Sequence, residues 1–193
     1  MLWPLPVVLV ACQGRDGPPN LLTVVWTGIV CSRPPLLAIA VTPERHSHAL
    51  LLETGRFSVN LPTTALVRAV DLCGVTSGRD VDKWQRTGLT PAAGTTGGPP
   101  LVAECPVNLE CRVARRLELG SHTLFIAEIE QVHVAAALID GKGRLALERA
   151  GLLSWCHGHY YALGRQLGHF GFSVRRKPRR PRRASASGQR REG

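Results

Sequence analysis

No apolar run in this 193-residue chain reaches the ~18 residues that a membrane-crossing helix needs. No Lys or Arg precedes Arg15, so the apolar start MLWPLPVVLVAC lacks the positive flank of a secretory signal. Six cysteines are present, but none forms Cys-x-x-Cys and no Cys/His set has zinc-finger spacing, so no metal site is expected. No Gly-x-Gly-x-x-Gly follows a strand, and Walker, His-Glu-x-x-His and Gly-x-Ser-x-Gly motifs are missing. A Rossmann site, a P-loop, a zinc protease centre and a nucleophile elbow therefore have no support. Apolar residues at 44% and charged residues at 20% exclude a wholly disordered, collagen-like or coiled-coil chain.

What is abundant is positive charge, +10 overall, but it is unevenly placed. From Arg175 to Gly193 nine basic residues face one acidic residue, a net +8; the preceding 174 residues hold 15 basic and 13 acidic groups, a net +2. The expected division is a near-neutral domain over 1–174 and a basic, Pro/Ser/Gly-rich, disordered tail over 175–193. The tail reads as a solvated extension or as an arm for nucleic acid or anionic lipid. The domain itself calls for no specific nucleic acid partner and no membrane span. The cysteines, scattered at 12, 31, 73, 105, 111 and 156, read as reduced thiols, mostly small core residues, which fits a cytoplasmic protein; Cys31 stays open.

Leu9-Val10-Ala11-Cys12 looks like a lipoprotein cleavage box, but Pro4 and Pro6 break the helix such a leader forms. A buried strand over Val7–Cys12, a Gly/Asp turn and a second strand over Leu21–Cys31 account for more residues. Leu36–Val41 and Phe57–Leu61 read as further strands. Ser47 is placed to cap a helix from His48 to Thr54 that stops at Gly55. Thr63 or Thr64 starts a second helix with Leu66, Val67, Val70 and Leu72 on one face, ending at Gly74; Asp80–Thr87 makes a short turn of helix. Val107–Arg115 and Ser121–Val134 alternate as long strands. Long strands with short helices predict a mainly β fold, a barrel with peripheral helices.

The polar residues that remain cluster beside these strands: Asn20, Trp26-Thr27-Gly28, Cys31-Ser32, Arg45-His46-Ser47-His48, Asn60, Ser77-Gly78-Arg79 with Asp82-Lys83-Trp84, and Gly120-Ser121-His122. They offer cations and hydroxyls to an anion, and amide, indole and imidazole groups to a flat heteroaromatic ligand. Their order, Asn20-x-x-Thr23-x-x-Trp26-Thr27-Gly28-x-x-Cys31-Ser32-x-Pro34-Pro35, Arg45-His46-Ser47, then Glu53-Thr54-Gly55-x-Phe57-x-Val59-Asn60-Leu61-Pro62, resembles the flavin reductase-like, FMN-binding split-barrel family, flavoredoxin branch. Asp71-x-Cys73-Gly74-x-x-Ser77-Gly78-Arg79-x-x-Asp82-Lys83, Pro106-Val107-x-Leu109-Glu110-Cys111 and Gly120-Ser121-His122 continue the resemblance to about Val174.

The resemblance implies a six-stranded antiparallel Greek-key split barrel that forms a homodimer and holds FMN near the interface. It implies an NAD(P)H-dependent flavin reductase-type oxidoreductase, using NADH or NADPH and passing electrons from FMN to free flavin or another acceptor. The alternative is a flavoredoxin-type carrier that serves a redox partner protein without oxidising NAD(P)H itself; a second is binding of nucleic acid or a membrane surface through the tail. Carried over residue by residue, Arg45, His46, Ser47 and Lys83 meet the FMN phosphate or ribityl chain, with Ser77 and Arg79 weaker candidates. Asn20, Trp26, Thr27 and Gly28 match positions lining the ring, Cys31-Ser32 borders the nicotinamide side, Asn60 is a further cofactor-binding candidate, and Trp155 stacks on the ring or edges it. His122, from a triplet similar to the family's Gly-Asp-His motif, is the catalytic candidate. Taken singly, each residue has a plainer use: a capped turn for Arg45–Ser47, a helix-surface lysine for Lys83, a core aromatic for Trp26, a strand histidine for His122.

Overall fold

The structure is a computed structural model that describes residues 2–174. The arginine-rich tail expected over 175–193 lies outside the described residues. In chain order the strands are β1 (Leu5–Pro6), β2 (Val8–Cys12), β3 (Asn20–Val24), β4 (Thr27–Ser32) and β5 (Pro35–Val41), followed by helix α1 (His46–Thr54) and β6 (Arg56–Leu61). A 3-10 turn leads into α2 (Val67–Val75), then α3 (Lys83–Thr87) and the short strands β7 (Pro91–Ala92) and β8 (Leu101–Val102). The long pair β9 (Val107–Glu118) and β10 (Thr123–Val134) precedes β11 (Leu153–Cys156) and β12 (His159–Ala162).

The main sheet is antiparallel in the order β3-β2-β6-β9-β10-β5-β4. Its two end strands, β3 and β4, are one stretch of chain interrupted only at Val25-Trp26. The single strand expected over Leu21–Cys31 is therefore real as a run but turns a corner. Its first half pairs with β2 and its second half with β5. Counted as one bent strand, it makes the sheet a six-stranded split barrel, and the non-consecutive pairs β2/β6, β6/β9 and β5/β10 wind it as a Greek key. At the corner the Trp26 carbonyl accepts the N–H of Ala40 (2.9 Å).

β2 explains why its sequence is apolar throughout. Val8, Val10 and Cys12 join the barrel interior with Ile39, Phe57, Val59 and Phe125. Val7, Leu9 and Ala11 point the other way, against Val70 and Cys73 of α2, Trp84 and Leu153. A strand buried on both faces loses the usual alternation. A three-stranded sheet, β1-β11-β12, lies beside this second cluster. All six cysteines are unpaired, and four are buried.

The described residues up to Leu163 form one compact unit. Every described residue from 164 onward is exposed.

One buried acid fixes the loop between β7 and β8. Glu110 accepts the backbone N–H groups of Thr95 (2.8 Å) and Thr96 (2.9 Å) and contacts His133 Nε2 (2.6 Å). Burial pulls its pKa up, but the donors of Thr95, Thr96 and His133 outweigh it and hold the carboxyl well below the usual carboxylate range. A depressed pKa contributes stability above the ordinary value of about 4.3, which is lost as pH falls toward the folded value. Glu110→Gln is expected to flatten the fall in stability between about pH 5 and pH 2; parallel acid unfolding curves for the two proteins would refute this.

Candidate functional site

Helix α1 begins at His46 with Arg45 as its N-cap, and no side chain caps it. Ser47, expected to be the cap, is instead the second residue of the helix. Its hydroxyl accepts a 2.7 Å bond from Asn20 Nδ2 on β3, and both residues are buried. Among the described residues the N–H groups of His46 and Ser47 have no acceptor, as the first turn of a helix requires. They open toward a cavity of about 430 Å³ lined by Asn20, Arg45, His46, Ser47 and, across it, the loop Thr76–Asp80 with Lys83.

That far wall is built around a glycine. A Cβ on Gly78 would overlap Asn20 Oδ1 and lie 3.0 Å from the His46 ring. Only a bare backbone lets the loop close on α1. Gly78→Ala must push Asn20 off Ser47, at about 1–3 kcal/mol; a denaturant midpoint equal to the parent's would contradict this packing.

The electrostatics of the cavity are set by three cations. Lys83 is only 3% exposed, and its ammonium donates to the carbonyls of Leu21 and Cys73, both at 2.8 Å. Burial lowers its pKa. Arg45 donates to Gly74 O (2.9 Å) and Arg79 to Glu44 O (3.0 Å). Among the described residues none of the three has a carboxylate within ion-pair distance. Glu44 and Asp80 also line the cavity. Hydrogen bonds from its own backbone and from Thr42 hold the Glu44 carboxyl below the usual range. Burial, then Arg79 and Lys83, lower the pKa of His46. A buried ammonium with a free third donor, two arginines and open helix N–H groups suit a phosphate.

A second pocket of about 170 Å³ adjoins the first, sharing Leu22 and Arg45. Its wall carries Trp26 from the barrel corner and His122 from the β9–β10 turn. Their rings lie 4.4 Å apart and tilted by 32°. Ser121 Oγ and His122 Nδ1 are 2.9 Å apart. Thr27 and Gly28 continue from Trp26 into β4, and a Cβ on Gly28 would meet nothing within 4 Å, so no packing within the chain demands glycine there.

The structure thus gathers Asn20, Arg45, His46, Ser47, Ser77, Arg79 and Lys83 around one cavity and Trp26 with His122 beside the next. Five expected residues line neither pocket: Thr27 and Gly28, which follow Trp26 into β4, and Asn60, Ser32 and Trp155. Asn60 is fully buried in β6. Its amide donates to Leu9 O and Ser58 Oγ and accepts from Val102 N, so every polar atom is spent on the core. Ser32 ends β4, exposed and outside both pockets. Trp155 belongs to β11 of the other sheet and packs edge-on to Tyr160 at 4.9 Å. Lys83 corrects the helix-surface reading: it is buried at the start of α3. Sequence reasoning missed Glu44, Thr76 and the steric role of Gly78; the Ser-Gly-Arg triplet was the available signal for the last.

Comparison with known proteins places the chain in a family. Residues 2–164 match the family described as Flavin reductase like domain. The flavin reductase (NADH) of Kitasatospora aureofaciens is 34% identical over 134 residues, which covers 65% of this chain and 64% of that protein. The flavoredoxin of Desulfovibrio vulgaris (Miyazaki F) superposes with a TM-score of 0.84 at 30% identity, covering 91% of this chain and 95% of that one. An FMN-binding protein from Thermus thermophilus, with bound 1-cyclohex-2-enone, superposes at 0.72 with 28% identity, covering 83% and 86%. With the motif order, the bent strand and the family match in agreement, the chain belongs to the flavin reductase-like family of split-barrel oxidoreductases.

Proposed function

We propose that the protein binds FMN and reduces it with NADH or NADPH, passing the electrons to free flavin or another acceptor. The observation that carries this reading is the pair of joined pockets, one cationic and one walled by Trp26 and His122. Arg45, Arg79 and Lys83, with the α1 N–H groups, hold the phosphate. Asn20 and the Trp26–Gly28 corner border the ring. When bound, FMN supplies the chemistry of hydride acceptance and electron release. The chain's own part is placement and access. His122, its Nδ1 engaged by Ser121, presents Nε2 to the ligand as a donor or acceptor. No protein base is required for hydride transfer, which fits a site with no catalytic dyad.

The flavoredoxin likeness favours a second reading, an FMN carrier that takes electrons from a partner protein rather than from NAD(P)H. An anaerobic titration separates the two. Bleaching of the bound flavin by NADH or NADPH supports the reductase; a yellow protein that neither nucleotide bleaches supports the carrier. Protein that takes up no FMN refutes both. A homodimer is proposed on the exposed apolar residues Trp26 of the barrel corner, Ile29 and Val30 of β4, and Leu117 and Leu119 of the β9–β10 tip. A monomer by light scattering would refute it. A cytoplasmic location is proposed on the six unpaired cysteines.

A further inference from the structure

A third cavity, a groove of about 1120 Å³, lies between α2, α3 and β12 and has no part in the site described so far. Its walls include Val67, Arg68 and Leu72 of α2, Arg86 of α3 and Tyr160 of β12. Tyr160 is held from two sides. Trp155 packs edge-on to its ring at 4.9 Å, and its hydroxyl donates to Asp71 Oδ1 (3.2 Å). That bond engages the one acid that lines the groove. Arg68 and Arg86 are exposed, and among the described residues neither has a carboxylate within ion-pair distance. Asp80 and Asp82 share a separate recess with Arg86 without pairing with it. Two free guanidinium groups beside an aromatic ring and apolar side chains suit an anionic, partly aromatic ligand.

The groove is not isolated. Val75 and Thr76 line both it and the cationic cavity. The cationic cavity in turn shares Leu22 and Arg45 with the pocket of Trp26 and His122, while the groove shares no lining residue with that pocket. The three spaces therefore follow in line: ring pocket, phosphate cavity, groove. Between the last two stands the C-terminal end of α2, whose carbonyls would ordinarily repel a phosphate. Here they are taken. Leu72 O accepts the N–H (3.1 Å) and hydroxyl (2.7 Å) of Thr76, Cys73 O accepts Lys83 Nζ, and Gly74 O accepts Arg45. An anion that passes from cavity to groove finds these three carbonyls already occupied.

FAD carries its parts in the same order: ring, ribityl chain and phosphate, then a second phosphate, ribose and adenine. A nicotinamide dinucleotide does not fit the line. With its nicotinamide at Trp26 and His122, its diphosphate would need the cavity that the FMN phosphate fills. Resting on the FMN reading above, we infer that the groove is a subsite for the AMP half of FAD, with Arg68 and Arg86 toward the added phosphate and Tyr160 beside the adenine, and that the protein binds FAD more tightly than FMN.

The test is fluorescence titration of the full chain with FMN and with FAD, for the parent and for an Arg68→Ala/Arg86→Ala variant. Both arginines are exposed and unpaired, so the variant should keep the parent's elution volume and FMN affinity. The expected result is FAD affinity about tenfold above that for FMN in the parent, falling to within about threefold of FMN in the variant. Equal or weaker binding of FAD by the parent overturns the inference and leaves the FMN reading standing. So does a FAD advantage that survives both substitutions. An equal loss of FMN and FAD affinity in the variant overturns it by placing the arginines on the shared phosphate. A raised KM for NADPH with unchanged FAD affinity overturns it by giving the groove to the nicotinamide donor. Uptake of neither flavin refutes the FMN reading itself, and this inference with it.

Discussion

Lys83→Met is expected to release flavin and loosen the fold together. The ammonium is 3% exposed and joins β3 to α2 through the carbonyls of Leu21 and Cys73. Methionine keeps the apolar stem and removes every donor. Each carbonyl left without its partner costs about 1–3 kcal/mol. Loss of a charge-assisted bond to phosphate should weaken FMN binding by roughly tenfold to a hundredfold. Fluorescence titration with FMN and denaturant unfolding check the two halves separately. Lower stability with parental FMN affinity would leave Lys83 a purely structural cation and remove it from the site. Lys83→Arg is a poor rescue, because a planar guanidinium does not fit a pocket shaped by two carbonyls around one nitrogen.

His122→Ala acts on the other pocket. Its ring stacks against Trp26 at 4.4 Å, and its Nδ1 is engaged by Ser121. Removing it takes away one wall beside the proposed ring position and leaves the cations untouched. Flavin reduction by NADH or NADPH is expected to slow by roughly tenfold to a hundredfold, with FMN affinity changed by less than about threefold. Stopped-flow bleaching without oxygen measures the first and titration the second. Parental bleaching rates would remove His122 from the reaction. Equal losses in both would make it a binding residue.

The strands and helices were legible where burial follows a short repeat. The alternation of β10 and the Gly55 stop of α1 are local signals, and both stand at their expected places. The corner at Val25-Trp26 was not legible. The run from Leu21 to Val30 is apolar on both sides of it, and the turn arises because β2 and β5 claim its two halves. Gly74 looked like a helix stop, but α2 runs one residue further to Val75, and the Gly74 position faces Thr23, 3.4 Å from where a Cβ would sit.

Site residues divide the same way. The motif order found the cavity's lining because Arg45–Ser47 and Ser77–Lys83 are compact in sequence. It could not tell a ligand-facing amide from a core amide. Asn20 and Asn60 are both strand asparagines, yet Asn20 faces the cavity while Leu9, Ser58 and Val102 consume Asn60. Lys83 sits between Asp82 and Trp84 and close to Asp80, which reads as a solvated face. Its burial depends on carbonyls of two other elements, β3 and α2, that no local pattern reveals. Ser47 is the same lesson in miniature: a residue placed to cap its helix is taken by Asn20, 27 positions earlier.

The central claim is that Arg45, Arg79 and Lys83 hold the phosphate of FMN. Parallel titration of the protein with FMN and with riboflavin, which has the same ring and no phosphate, tests it most directly. The expected result is FMN affinity at least about 100-fold above that for riboflavin, the worth of two charge-assisted hydrogen bonds at about 1.5 kcal/mol each. Equal affinity for the two flavins would contradict it.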